Sequence, residues 1–110
     1  MLEVMPDSSL GGYFEKHSRP PAFEGSDGAS YSVDVYIEED ETTNKKYSAA
    51  LIFVRWSSDG AQPVGHLETV PLAVAERRAE VKSALYALTL HQVKGHLERL
   101  IEERKGLPDW

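Results

Sequence analysis

The 110-residue chain contains no cysteine. That excludes a disulfide framework, a thiolate zinc site and a cysteine nucleophile, and a reducing cytoplasm is the expected setting. Long apolar runs are also missing. The longest, Ala49 to Val54, has six residues, against the ~20 that a membrane-spanning helix requires. The opening MLEVMPDSSLGG is too short and too interrupted for the apolar core of a signal peptide, so no leader and no membrane span are expected. Basic residues are scarce: 12 Lys and Arg against 18 Asp and Glu give a formal charge of −6. Such a surface repels phosphate backbones, which argues against nucleic acid as a partner. Tyr36 and Trp56 could stack on bases, but Arg55 is almost the only cation on the strands to support them.

Motifs that carry chemistry are equally thin. His91 and His96 are five residues apart, so on a helix they diverge by ~140° and cannot share a metal. His66 and Glu68 share a strand face without a nucleophile motif nearby. The run Glu38, Glu39, Asp40, Glu41 lacks the ligand spacing and glycine of a calcium loop. FEGSDG lacks the lysine and following helix of a phosphate loop. Asp34 and Glu80 alone do not make the converging carboxylates of a two-metal nuclease. No catalytic residue, cofactor or metal is expected from these patterns.

What is present is periodicity. At 110 residues a single domain is expected, divided into an arm (1–19), a β-meander (20–70) and a long helix (71–106). In the arm, Leu10, Tyr13, Phe14 and His17 fall on one face of a short helix that Gly11 and Gly12 weaken. Pro20 and Pro21 end it. Strands are expected near 22–25, 30–38, 46–56 and 64–70, with turns on Asp27-Gly28 and Asp59-Gly60. The second alternates cleanly: Tyr31, Val33, Val35 and Ile37 inward, Ser32, Asp34, Tyr36 and Glu38 outward. The third, KYSAALIFVRW, is apolar on both faces, with Leu51 and Phe53 on one and Ile52, Val54 and Trp56 on the other.

From about Ala73 to Lys105 the period becomes helical, with Pro71 near the start and Gly106 and Pro108 as stop signals. The expected fold class is therefore α+β, an antiparallel meander with one helix over about 73–105 across one face. Such a helix, at 1.5 Å per residue, would be ~50 Å long and would overshoot the sheet. Its apolar stripe also rotates. Val74, Val81, Ala84, Leu85 and Leu88 share one side; Tyr86, Leu90, Val93, Leu97 and Leu100 share another, roughly 120–130° away.

Three arrangements would cover the second stripe: a break near Thr89 to Gly95, packing of the arm, or a second copy of the chain. The leading expectation is a non-enzymatic interaction module that homodimerises. Its contacts would be Tyr86, Leu90, Val93, Leu97 and Leu100 on the helix, and Ile52, Val54 and Trp56 on the second sheet face. An alternative is an acidic inhibitor or immunity-type protein masking a basic site through Asp34, Glu38, Glu39, Asp40 and Glu41. A further alternative is an enzyme or small-ligand binder of unknown type, with a pocket between helix and sheet.

Overall fold

A computed structural model describes residues 8–41 and 46–107. The elements run α1 (Leu10–Lys16), β1 (Ala22–Glu24), β2 (Ser30–Asp40), β3 (Lys46–Trp56), β4 (Pro63–Glu68), β5 (Ala73–Ala75), α2 (Arg78–Tyr86) and α3 (Leu90–Arg104). The fold is α+β. Its antiparallel sheet has the order β1-β2-β3-β4, and β5 joins the same edge of β3 that β4 occupies.

The strands follow from period-two patterning. β2 and β3 pair along their full lengths, from Ser30 opposite Trp56 to Asp40 opposite Lys46. Asp-Gly turns join the flanking pairs, β1 to β2 and β3 to β4: Gly28 and Gly60 take positive φ, and the Asp27 and Asp59 carboxylates accept from the Ala29 and Ala61 amides. Odd-numbered residues of both strands face the helices. Tyr31, Val33, Ala49, Leu51 and Phe53 join Leu10, Val81, Leu85, Val93, Leu97 and Ile101 in one buried cluster.

Residues 73–105 do not form one helix. Ala73–Ala75 is a strand, because the Tyr47–Ala49 end of β3 leaves backbone groups for it to pair. Between β4 and β5 the chain bulges at Val70 and Pro71: the Thr69 amide donates to the Leu51 carbonyl and the Leu72 amide to that of Ala49. Pro71 has no N–H to give the ladder, so it serves a bulge here and not a helix start.

A second interruption lies at Ala87–Thr89. Thr89 is extended, with φ −73° and ψ 157°. Its hydroxyl accepts from the Gln92 amide while the Gln92 side chain accepts from the Thr89 amide. This reciprocal box starts α3 afresh. The break lets Val81 and Leu85 of α2 and Val93, Leu97 and Ile101 of α3 face the same sheet. Gly95, at the far end of the span where a break was expected, lies inside an unbroken α3 and is exposed.

The arm completes this arrangement. Breaking a helix frees backbone groups that need partners. The Leu10 amide donates to the Leu88 carbonyl at 2.8 Å and the Leu90 amide to the Ser8 carbonyl at 2.7 Å, so the arm bridges the break. The Ser9 hydroxyl then caps α1 by accepting from the Gly12 amide. Leu10 is fully buried, and Phe14 stacks on Tyr86 with ring centroids 5.3 Å apart. A helix break and a docked arm together cover the second stripe within the chain.

A Cβ on Gly95 would meet nothing within 4 Å, so Gly95→Ala is expected to stabilise the protein by about 0.5–1 kcal/mol. Thr89→Ala removes the cap and is expected to cost about 1 kcal/mol. Urea titrations with unchanged slope would check both; a neutral Thr89→Ala would mean that the cap does not hold the break.

Candidate interaction surface

All three helices feed one cluster on the odd-numbered face of the sheet. The chain is 23 Å through its thinnest direction, the depth of one helix layer on one sheet, given a helix ~10–12 Å across and layers ~10 Å apart. Among the described residues, no element lies on the other face. Ala50, Ile52, Val54 and Trp56 form a row down its centre, with Ala50 buried opposite Tyr36 and the other three half-buried. The Trp56 indole donates to the Ser32 hydroxyl at 2.9 Å, which fixes the ring across the face. Tyr36, Val64 and Val74 are 46%, 40% and 61% exposed, large values for such side chains in strands.

Carboxylates border the row. The register places Asp34 and Glu68 on either side of Ile52, on β2 and β4, while Glu38 lies further along β2 beside Ser48. Lys46, opposite Asp40 at the far end, is the one described lysine or arginine at a strand position on this face. Arg55 belongs to the helix-facing series.

The residues expected to form an interface thus divide. Ile52, Val54 and Trp56 lie on the open face. Val93 and Leu97 are wholly enclosed beneath α3, and Leu90 and Leu100 pack half-buried against the same core. Tyr86 is covered by Phe14. The helical seam is enclosed within the protomer, so a charge at Leu97 would unfold the chain itself rather than dissociate a dimer. Of the acidic group, Asp34, Glu38, Glu39, Asp40 and Glu41 are all exposed, but Glu39 falls in the opposite alternation from Asp34 and Glu38.

The periodicity did not reveal a polar cluster at one end of the sheet. The buried Tyr31 hydroxyl donates to Asp27 at 2.7 Å and accepts from the Arg55 guanidinium at 3.3 Å, with Arg55 and Asp27 3.7 Å apart. Gly25 closes over it. A Cβ there would lie 2.6 Å from Ile101 and 2.9 Å from the Tyr31 ring. Arg55 in the inward series after Phe53 was the available signal, since a buried-side cation needs a partner. Burial pushes Asp27 up, but the Tyr31 hydroxyl, the Ala29 amide and Arg55 outweigh it and hold the carboxyl below its ordinary value. Burial, followed by the hydrogen bond to Asp27, pushes Tyr31 up to about 12. A phenol so held stays protonated and serves as a structural donor. Beside this cluster an open cleft of about 680 Å³ lies between the two Asp-Gly turns, with Trp56 and Asp59 in its walls.

At the sheet edge, two hollows of about 170 and 250 Å³ adjoin between β4 and α3, sharing Glu68, Leu100 and Glu103. Burial, and then the nearby Arg99, lower the pKa of His96 there. Among the described residues, no group of three His, Cys, Asp or Glu could hold a metal ion, and no helix is long and apolar enough to cross a membrane.

Asp27 is below its unfolded value, so its stabilisation is present above the ordinary carboxylate range and is lost as pH falls through the folded value. Asp27→Asn is expected to cost about 1–2 kcal/mol near neutrality. The gap from wild type should shrink below about pH 4. Denaturant titrations at pH 7 and pH 3 check it; a gap independent of pH would remove the ionic part of the argument. Comparison of the chain with protein-family models, curated proteins and solved structures finds no match, which leaves the open face to carry the functional reading.

Proposed function

We propose that the protein is a non-enzymatic interaction module whose working surface is the open sheet face. One observation carries this: Ile52, Val54 and Trp56 stand on a face with no helix packed on it among the described residues. Apolar side chains there do little for the folded protomer, whereas covering them returns ~25 cal/mol per Å².

A second copy is one occupant that the dimensions support. β2 and β3 each have 11 residues, so the face is ~37 Å long, but β1, β4 and β5 are shorter and its area is roughly 550 Å². That suits an interface smaller than the ~800 Å² per partner of a standard one. Two such faces would pack as aligned sheets between outer helix layers.

Ile52→Thr and Val54→Thr test the reading, because threonine keeps the branched strand shape. Each is expected to cost under about 1 kcal/mol, against about 2–5 kcal/mol for Leu51→Ala on the covered face. Costs as large as that of Leu51→Ala would show that the row serves folding and overturn the proposal. Were a second copy the occupant, light scattering across concentration would show twice the 12.3 kDa chain mass, and Val54→Lys would abolish it.

A further inference from the structure

The border of the open face narrows what can occupy it. We infer that the occupant is a basic amphipathic helix of another protein, its apolar stripe on the β3 row and its Lys or Arg flanks against Asp34, Glu38 and Glu68. This rests on the open face being a docking surface, as proposed above.

Charge complementarity is the first argument. Two copies packed face to face would bring the Asp34–Ile52–Glu68 line of each sheet against an equally acidic face, with Lys46 the only described strand lysine or arginine to offset it. Like charges brought together on desolvation disfavour that pairing, whereas a cationic partner turns the same groups into attraction. The whole chain, at −6, would steer such a partner inward.

Dimension is the second. The row from Ala50 to Trp56 spans ~20 Å at 3.3 Å per residue, which a helix of about 14 residues matches at 1.5 Å per residue. Strands lie ~4.8 Å apart, so the carboxylates of β2 and β4 stand ~10 Å from one another across the row. That is the body width of a helix, whose flanking lysines extend past its apolar stripe. A helix seated there would give the sheet a layer on both faces. At the Trp56 end the row meets the cleft that carries Asp59, a second anionic contact for the helix terminus. The Ser57 hydroxyl and the Ala61 amide keep that carboxylate ionised.

The probe is a set of three synthetic 15-residue helices with one leucine stripe, flanked by lysine, glutamine or glutamate, titrated against the full chain by calorimetry and amide chemical shifts. The lysine peptide is expected to bind at least about tenfold more tightly than the glutamine peptide at low salt, with the advantage falling as salt rises. The glutamate peptide should not bind. Shifts should map to β2, β3 and β4. Asp34→Lys with Glu68→Lys should weaken the lysine peptide by about tenfold or more, while Glu80→Lys with Glu102→Lys, an equal charge change on the helix side, should not. Equal binding of the lysine and glutamine peptides, abolished by Val54→Lys, would overturn the basic partner and leave the docking face standing. Binding that survives Val54→Lys would place the peptide elsewhere and overturn both. Failure of all three peptides to bind would overturn this inference, and a Val54-dependent dimer would then assign the face to a second copy.

Discussion

The structure depends on two backbone hydrogen bonds that join Ser8 and Leu10 to Leu90 and Leu88. A continuous helix from α2 through α3 could present only one of its two apolar stripes to the sheet. Interrupting it at Leu88 rotates α3 so that Val93, Leu97 and Ile101 come down beside Val81 and Leu85. The interruption strands an amide and a carbonyl, and an unpartnered backbone group inside a fold costs about 1–3 kcal/mol. The arm supplies both partners and, through Leu10 and Phe14, the apolar cover for the joint. Local sequence starts α3 with its Thr89–Gln92 box, but tertiary pairing stabilises the break.

That division explains what could be read from the residues. The positions of β1 to β4, the Asp-Gly turns, the arm helix and the two-sided nature of β3 are carried by local alternation and turn chemistry, and each is legible. The helix boundary was legible only as one of three alternatives, a break near Thr89 to Gly95. Period 3.6 continues on both sides of Leu88, so the pattern alone does not mark where the axis changes. The Thr89-x-x-Gln92 spacing was a visible start signal inside an apparently unbroken run. Ala73–Ala75 is a strand for a reason outside its own sequence, namely the pairing that the Tyr47–Ala49 end of β3 offers. The Tyr31–Asp27–Arg55 cluster was hidden for the same cause, since its members come from a turn and two strands. Ile52, Val54 and Trp56 were legible as the face opposite Leu51 and Phe53, where the register places them, whereas Val93 and Leu97 read as seam residues because a heptad spacing and a packed core face look alike.

The two faces of the sheet carry different chemistry. On the covered side, apolar packing ends in one ionic cluster whose members satisfy one another. On the open side, an apolar row lies between exposed carboxylates. The proposed docking rests on that arrangement of an apolar centre within a charged border.

The bulge at Val70 and Pro71 has a bearing on that exposed state. β4 and β5 would otherwise form one long outer strand along β3, a straight row of free amides and carbonyls on which other chains could pair. Instead the edge is cut into a six-residue and a three-residue piece, offset in register, with a proline that offers no donor at the joint. On this side of the sheet another strand could therefore pair over only a few residues before the register breaks.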